Sequence, residues 1–537
     1  MKTEQRYLLA VFLSFLVLVV FYSPMAQRRA GTRSTVEPRA AEKSIVMPAA
    51  IPPADFSKPP EIRTEVFELS NDFYSAKWIG LGGGISELVL KPFGKMKTRG
   101  TELIKSENGA QPAFALEIPN QSVRISSAEF KAAQVDLAGK KIDLTFEVPG
   151  ELRVSKRYEL FPDRTAFRLQ VRVDNLSGSS EKQVPLELHS QIYFGKEGTR
   201  YDQDQLESFT VPKVGKIKVI KEGKLRRAAA LISEPIEWQA LTKRYFTVIV
   251  KPDREAISVE SRLSGNHEAL ESVLRFAPQT VPPGGGFETS FLIYAGPEYY
   301  EDLKSFGFGF EQTLSQGTWG LFRHWLFLAL RLCEKLSGNY GFAIMLMTLL
   351  IKVLFSPFTH MSFDSMRKMQ VVQPKLKAIQ TQFKNDPTRM NKEMMELYRR
   401  HKVNPMGGCL PMLIQIPIFI GFYQVLAQFV ELKGESFWWV KDLTEPDRLW
   451  KIPGVGFDLN LLPILMIGTM IWQQKVTPQQ SMGSPEQAKM MQYMPIVMGF
   501  LFYQLPSGLV LYWTLNNLLT VIHQKLFHKS APQISAE

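Results

Sequence analysis

A lysine stands inside an otherwise apolar segment of this 537-residue chain. Within residues 341–359 the only charged side chain is Lys352, in the stretch TLLIKVLFSPF. A cation surrounded by lipid is costly unless it reaches water, a partner or the headgroups. Lys352 precedes His360 by roughly 12 Å along a helix, so extension of its side chain to the headgroups is one explanation. A polar cavity between helices is the other.

Polar side chains in the other apolar segments are compatible with the cavity and leave both explanations open. Thr348 lies one helical turn before Lys352 on the same face. Buried amides inside a membrane need hydrogen-bond partners or water, and one wet cavity would satisfy them together. The candidate groove residues are therefore Lys352, Thr348, Gln415, Gln424, Gln428, Trp513, Asn516 and Asn517.

Composition excludes several classes of site. The only cysteines are Cys333 and Cys409, so the chain has no CxxC metal motif and no disulfide framework. No paired catalytic motif is present, and the sequence predicts no metal, no cofactor and no enzymatic activity. The net charge of +12 would permit a nucleic-acid partner. Much of that charge flanks apolar segments, however, which indicates membrane topology and no nucleic acid sequence recognition.

Uncharged segments predict six membrane spans. They cover residues 7–22, 341–359 apart from Lys352, 406–430, 459–474 and 490–524. A single helix over 490–524 would extend roughly 52 Å against a hydrocarbon core of about 30 Å. We therefore expect the motif LPSG at 505–508 to divide it into two spans. The first span, within 1–23, is predicted to be a signal anchor; a cleavable signal peptide with SPMA at 23–26 is the alternative.

Charge asymmetry predicts the orientation. Between His360 and Gly408 there are ten Lys and Arg against four acidic residues, which places this loop in the cytoplasm by the positive-inside rule. Residues 431–458 carry six acids and four bases and suit the opposite side. Six spans then place both termini in the cytoplasm and the region from 23 to about 340 outside. Four arginines just after the first span oppose this assignment: Arg28, Arg29, Arg33 and Arg39.

The outer region has two predicted parts. Residues 24–60, rich in Pro, Ala and charge, predict a flexible tether. Residues 61–310 contain short alternating segments such as KIDLTFEV and AFRLQVRVDN between turn residues, which predicts an antiparallel β-sandwich. The stretch GLGGGISEL at 80–88 has Ile85 where GxGxxG requires glycine and precedes a strand. It therefore indicates a hairpin turn and not a phosphate loop.

Residues 317–337 predict an amphipathic helix in the outer interface, with a seventh span as the alternative. Its apolar face would contain Leu321, Trp325, Leu328, Leu332 and Leu336, and its polar face Arg323, His324, Arg331, Glu334 and Lys335.

Residues 360–403 predict a helical hairpin, with a solvated basic loop as the alternative. Apolar residues three and four apart from Met369 to Phe383 form the seam of one helix, and the seam continues from Met390 to His401 on a returning helix. Asp386 is the expected N-cap, followed by Pro387 at the first helical position.

Four stretches of the chain carry a family resemblance. They are VQPKLKAIQ at 372–380, EMMELYRRHKVNP at 393–405, KVNPMGGCLPMLIQIPIFIGFYQVL at 402–426 and LPSGLVLYW at 505–513. With them, residues 339–524 resemble the bacterial YidC family of membrane protein insertases. The resemblance implies an α-helical polytopic inner-membrane protein of six spans with a large extracytoplasmic antiparallel β-sandwich. The conserved five-helix core would occupy 341–527, and a short cytoplasmic tail 528–537.

The resemblance also implies a function, which is insertion and folding of nascent membrane proteins, alone or with the Sec translocon. The family's intramembrane cation, usually arginine, corresponds to Lys352, which keeps the charge but not the bidentate geometry. Trp513 stands where a tyrosine is common. Expected partners are nascent membrane proteins, the phospholipid bilayer, the Sec translocon, and the ribosome or the signal recognition particle receptor. The short, barely basic tail does not predict strong ribosome binding.

Seam methionines either pack the hairpin or form an adaptable surface for apolar client segments. The expected client or targeting contacts on the hairpin are Met366, Met369, Arg367, Lys368, Arg399 and Arg400. Two other functions stay open. The first is an ion-coupled transporter in which Lys352 titrates; the sequence shows neither an intramembrane carboxylate to pair with it nor an inverted repeat. The second is a sugar-processing enzyme, which rests on the outer sandwich alone.

Overall fold

The computed structural model describes residues 65–92, 100–106, 111–119, 121, 123–136, 138, 140–194, 206–264, 268–315, 320–401, 403, 410–451, 458–477 and 485–527. Two compact units contain them: 65–91 with 100–296, and 92 with 297–527. The predicted first span, the tether at 24–60 and the tail at 528–537 lie outside the described residues.

The described residues of the first unit form eighteen strands, one short α-helix, α1 (Glu222–Leu225), and a 3-10 turn at Ile125–Ser127. The strands are β1 Val66–Ser70, β2 Tyr74–Ile79, β3 Gly84–Leu90, β4 Thr101–Lys105, β5 Leu116–Glu117, β6 Lys131–Asp136, β7 Lys141–Val148, β8 Leu152–Leu160, β9 Ala166–Asn175, β10 Lys182–Tyr193, β11 Leu206–Pro212, β12 Lys218–Lys221, β13 Ala230–Ile232, β14 Ile236–Lys243, β15 Phe246–Pro252, β16 Ser258–Leu263, β17 Ala269–Val281 and β18 Gly286–Pro297.

These strands pair into three sheets whose apolar faces share one core. The orders are β12-β11-β14-β15-β18-β9-β8-β7-β6, β13-β16-β17-β10-β5 and β1-β2-β3-β4, and the pairs are antiparallel. Phe276 of the five-stranded sheet and Phe291 of the nine-stranded sheet meet with ring centroids 5.7 Å apart. Alternation of buried and outward residues along β8 supplies one side of this core, as period-two patterning requires. The predicted antiparallel, sheet-rich outer region is confirmed.

The glycine-rich stretch joins β2 to β3 as a hairpin turn, as predicted. Gly82 and Gly83 have φ of +63° and +55°, which glycine adopts without steric cost. Their carbonyl oxygens accept hydrogen bonds from Lys156 Nζ at 2.7 and 3.0 Å, and Phe114 O accepts a third at 2.9 Å. A buried lysine of β8 thus holds the turn, while burial lowers the pKa of its ammonium group.

The second unit is helical. Its described helices are α2 Tyr300–Ser305, α3 Gly320–Ser337, α4 Tyr340–Leu354, α5 Ser356–Gln382, α6 Pro387–Arg400, α7 Leu410–Gln428, α8 Leu461–Val476, α9 Pro485–Phe502 and α10 Ser507–Phe527. A short pair of strands, β19 Trp450–Lys451 and β20 Asp458–Leu459, precedes α8. The predicted helix break at LPSG is confirmed, because α9 ends at Phe502 and α10 begins at Ser507.

By length and hydropathy, no one helix among the described residues is sufficient to cross a membrane. Residues 322–337 and 340–354 meet the criterion jointly, and they are bent by 117° at their junction. The count of six spans stays a prediction.

Helix α3 differs from its predicted amphipathic pattern. Trp325, Leu332 and Leu336 are exposed as a face suited to lipid requires, but the opposite side is also apolar and buried. There Phe327 stacks on Phe429 with ring centroids 3.8 Å apart. Arg323, which the pattern assigns to the polar face, is buried, and its guanidinium donates to Leu314 O at 2.6 Å. Charge patterning missed this because a backbone carbonyl accepts a hydrogen bond from the buried guanidinium.

Candidate functional site

Lys352 lies in the last turn of α4 and points to α10. Its Nζ donates to Thr520 Oγ1 at 2.6 Å, and the same hydroxyl donates to Asn516 O at 2.7 Å. Lys352 is half-buried and Thr520 is buried, whereas the next residues of α4, Val353 and Leu354, are exposed. The cation therefore faces a neighbouring helix, and the apolar side chains beside it face outward.

Thr348 and Asn516 lie near this contact in different ways. Thr348 is buried one turn before Lys352, and its hydroxyl donates to Ile344 O of its own helix at 2.6 Å. The half-buried Asn516 supplies the backbone carbonyl that orients Thr520. Thr348 thus shares the predicted face, with its hydrogen already donated.

The predicted amides connect α10 to two further helices. Asn517 Nδ2 donates to Thr469 Oγ1 of α8 at 3.4 Å, and Gln415 Nε2 of α7 donates to Tyr512 Oη. With the contact between Lys352 and Thr520, α10 carries polar links to α4, α7 and α8. These are separate contacts along α10. The predicted residues therefore pack around one helix but do not form one hydrogen-bonded cluster.

Gln424 and Gln428 lie on α7 and are both half-buried. Gln424 Oε1 is buried and has no hydrogen-bond partner among the described residues. A buried amide oxygen without a partner is costly, and a water molecule or a polar ligand would satisfy it. The geometry of Gln424 therefore indicates a wet environment.

Trp513 belongs to an aromatic cluster and not to the amide contacts. Its ring meets Phe419 of α7 edge-on at 5.3 Å and Phe502 of α9 at 5.2 Å. Such perpendicular pairs are favourable arrangements of aromatic rings. Trp513 therefore supplies an apolar wall one turn from Asn516 and Asn517.

The hairpin is formed by α5 and α6. Asp386 accepts a hydrogen bond from Arg389 N at 3.0 Å, which confirms it as the N-cap of α6. Met369, Val372 and Val403 form a small core against Leu397 and Tyr398.

The six hairpin residues predicted to meet clients divide into two groups. Met366 and Met369 are buried, which favours the packing alternative for these methionines. Arg367 is half-buried, and Lys368, Arg399 and Arg400 are exposed. Arg400 also pairs with Glu396 at 2.6 Å. The basic residues thus offer a surface, while the two methionines stabilise the element that carries it.

Several polar partners were not predicted. Thr520, Thr469 and Tyr512 complete the contacts of Lys352, Asn517 and Gln415. Thr520 follows Asn516 by one helical turn, so helical spacing would have placed it on the same face. Nothing in the sequence, however, links Thr520 to a lysine 168 residues away.

The loop after α7 carries an acid, Glu431, whose carboxyl group is buried. Glu431 Oε1 accepts a hydrogen bond from Tyr300 N at 3.0 Å, and its Oε2 is buried with no hydrogen-bond partner in the described part of the chain. Burial raises the pKa of Glu431 to about 7. A few residues on, Lys433 pairs with Glu445 at 2.9 Å and with Asp442 at 3.6 Å.

Comparison with known proteins identifies the family. A family model described as the 60Kd inner membrane protein matches residues 332–534, and one described as the YidC periplasmic domain matches 67–329. The membrane protein insertase YidC of Syntrophus aciditrophicus (strain SB) is 30% identical, covering 98% of this chain and 100% of that protein. Its counterpart from Pelobacter propionicus (strain DSM 2379 / NBRC 103807 / OttBd1) is 33% identical, covering 98% and 99%.

One solved structure is similar over most of its length. A crystal structure of an active YidC insertase with its first transmembrane domain resolved is 18% identical, covers 87% of this chain and 94% of its own, and has a TM-score of 0.39. Identity over nearly the full length of the relatives, together with both domain models, shows that the chain belongs to the YidC family of membrane protein insertases, which are inner-membrane proteins with a periplasmic domain and are not enzymes.

Proposed function

We propose that this protein inserts and folds nascent inner-membrane proteins through a hydrophilic, positively charged groove around Lys352. The proposal rests on the hydrogen bonding of the Lys352 ammonium group. Among the described residues, its one hydrogen-bond partner is Thr520. An ammonium group has three hydrogens, so two are left for water or for an arriving client. The unpartnered Oε1 of Gln424 supports water in the same helix bundle.

The proposed mechanism is non-covalent. A polar client segment enters the groove from the cytoplasm, so that it crosses only part of the low-dielectric barrier. Lys352 attracts acidic or carbonyl-rich segments, because the attraction between charges is strong where water is scarce. The client's apolar segment moves past Trp513 and its aromatic neighbours into lipid.

The hairpin is the proposed contact for clients or targeting factors. The exposed side chains of Lys368, Arg399 and Arg400 supply positive charge on an ordered element. We place the hairpin and both termini in the cytoplasm by the positive-inside rule. Cooperation with the Sec translocon, and contact with the ribosome or the signal recognition particle receptor, are further parts of the proposal that rest on the family.

Substitution of Lys352 tests the groove. One client is prepared with an acidic, a neutral or a basic translocated segment, and its insertion is measured by protease protection at matched expression. Lys352→Arg is expected to retain insertion. Lys352→Ala should reduce insertion of the acidic client by about tenfold, corresponding to roughly 1.4 kcal/mol, and Lys352→Glu should reduce it further.

The matched control is Val353→Ala, because Val353 is the next residue of α4 and is 65% exposed. It should insert all three clients normally. Equal insertion of all three clients by Lys352→Ala and the wild type would disprove the proposed groove cation and favour a lysine that only anchors its helix at the headgroups.

A further inference from the structure

A line of polar side chains continues from Lys352 along the facing surfaces of two helices. Ser356 and His360 follow Lys352 at intervals of four residues across the junction of α4 and α5. The junction keeps helical hydrogen bonding, since Phe355 N donates to Ile351 O at 2.9 Å and Thr359 N to Phe355 O at 3.1 Å. Side chains four apart on a helix share a face, so these residues point to the same neighbour.

Helix α10 supplies the opposite side of the line. Below the contact of Lys352 with Thr520, Ser356 Oγ and His523 Nε2 are hydrogen-bonded at 3.2 Å. The rings of His360 and His523 then lie with centroids 4.5 Å apart. The Phe363 ring lies 24° from parallel to the His523 ring, with centroids 6.1 Å apart.

Each member of this line is buried or half-buried. His523 is 9% exposed, whereas Ser356 and His360 are half-buried. From His360, α5 continues into the basic hairpin. The line therefore joins the part of the molecule that we propose meets the client first to the intramembrane cation.

The chemistry of the line favours a carboxylate as its ligand. Two imidazoles this close repel each other when both are protonated, and Lys352 adds a third positive charge. Neither α4 nor α10 contains an acidic residue, and the first acid on α5, Asp364, is exposed one turn beyond His360. A client Asp or Glu side chain at the edges of the two rings would accept hydrogen bonds from their N–H groups.

We infer that Ser356, His360 and His523 form a receiving site for acidic client segments, between the hairpin and Lys352, with His523 as its specificity-determining residue. The inference rests on the proposed insertase function and deepens it by naming the chemical class of the first client contact. In this arrangement a carboxylate binds at the imidazole pair and is then transferred to Lys352.

The test compares clients that differ only in the translocated segment, with Asp and Glu in one and Asn and Gln in the other. In the full-length protein, His523→Leu should lower insertion of the acidic client by about fivefold, the effect of an interaction of roughly 1 kcal/mol, and leave the neutral client within about twofold. His523→Gln retains a partner for Ser356 but cannot be protonated, so it should show the same preference against the acidic client. Ile522→Ala, at an exposed neighbour on α10, is the matched control.

Three results would overturn the inference. They are normal insertion of both clients by His523→Leu, equal loss of both clients, and full rescue of the acidic client by His523→Gln, which would assign the imidazole a packing role only. Lys352→Ala is measured in parallel. Loss of insertion in Lys352→Ala with normal insertion in both His523 variants rejects the receiving site and keeps the groove, whereas normal insertion in Lys352→Ala rejects the groove itself.

Discussion

Two lysines, Lys156 buried in the first unit and Lys352 half-buried in the second, show two uses of the same cation. In the β-sandwich, Lys156 is 1% exposed and its ammonium group donates to the carbonyl oxygens of Gly82, Gly83 and Phe114. Three acceptors match the three hydrogens of an ammonium group. This cation is saturated by backbone, and its contribution is to hold a turn and a loop against β8.

In the helical unit, Lys352 has one such partner among the described residues, the hydroxyl of Thr520. That hydroxyl is itself oriented by Asn516 O. The difference teaches that burial alone does not assign a role to a cation. A lysine that donates all three ammonium hydrogens to the protein stabilises the fold. A lysine with hydrogens left over can bind water or an arriving acceptor.

The largest effect in this comparison is expected from Lys156→Met. Methionine fills a similar volume, but the carbonyls of Gly82 and Phe114 lose the donor that Lys156 supplies, while Gly83 O keeps a hydrogen bond from Tyr158 Oη at 2.8 Å. Each buried acceptor left without a donor costs about 1–3 kcal/mol. The free energy of unfolding of the sandwich should therefore fall by about 2–6 kcal/mol.

Hydrogen exchange of the full-length chain, followed in peptides from β7 to β9, measures this change. Lys141→Met is the matched control, because Lys141 is a surface lysine of β7 that pairs with Glu159 at 2.8 Å. It should change the free energy of unfolding by less than about 1 kcal/mol. Equal exchange in both variants would contradict the saturated-cation account.

The buried carboxyl group of Glu431, an acid and not a lysine, should give an intermediate effect on stability when it is substituted. This effect should depend on pH. The pKa of Glu431 is about 7 in the folded chain against an ordinary value of 4.5. Between these values the folded state binds more protons than the unfolded state, so stability falls as the pH rises from about 4.5 to about 7. Asp302 adds to the raised pKa, while the Tyr300 backbone N–H and Arg331 oppose it.

Glu431→Gln removes this titration. The variant should lose the decline in stability over that window and, at pH 8, should exceed the wild type by at most about 3 kcal/mol, as measured by thermal unfolding in detergent. Glu301→Gln is the control, because Arg331 lowers the pKa of Glu301 and that exposed pair should contribute little. A wild-type profile that rises between pH 5 and pH 7 would show that Glu431 is not buried as a neutral acid.

Local signals predicted much of this structure from the sequence. The glycine turn before β3, the break before Ser507 and the cap at Asp386 each depend on a few adjacent residues, and each is present. Period-two alternation along β8 also indicates which of its residues face the core. Lys156 falls in phase with the inward residues Leu152 and Leu160 of β8, so its burial was readable from the strand pattern.

Contacts between distant parts of the chain could not be predicted in the same way. Lys352 and Thr520 are 168 residues apart, and Glu431 and Tyr300 are 131 residues apart. The polar contacts of His523 could not be predicted for a different reason. Histidine counts as neutral in an uncharged segment, so its presence within residues 490–524 gives no signal. Sequence reasoning thus found the cation and the amides, while tertiary packing decided which of them meet.

The smallest stability effect is expected from Lys352→Met, and it sharpens the comparison most. Removing Lys352 leaves no buried acceptor without a donor, because Thr520 still donates to Asn516 O. It also removes the cost of holding a cation among apolar helices. For Lys352→Met, the free energy of unfolding should fall by no more than about 1 kcal/mol or should rise, as measured by the midpoint of thermal unfolding in detergent. Insertion of an acidic client should fall. Loss of stability as large as in Lys156→Met would mean that Lys352 is a structural cation after all. Thr520→Val, which removes the hydroxyl and leaves the charge, separates the two roles: stability and insertion should both change little if the free hydrogens of Lys352 carry the function.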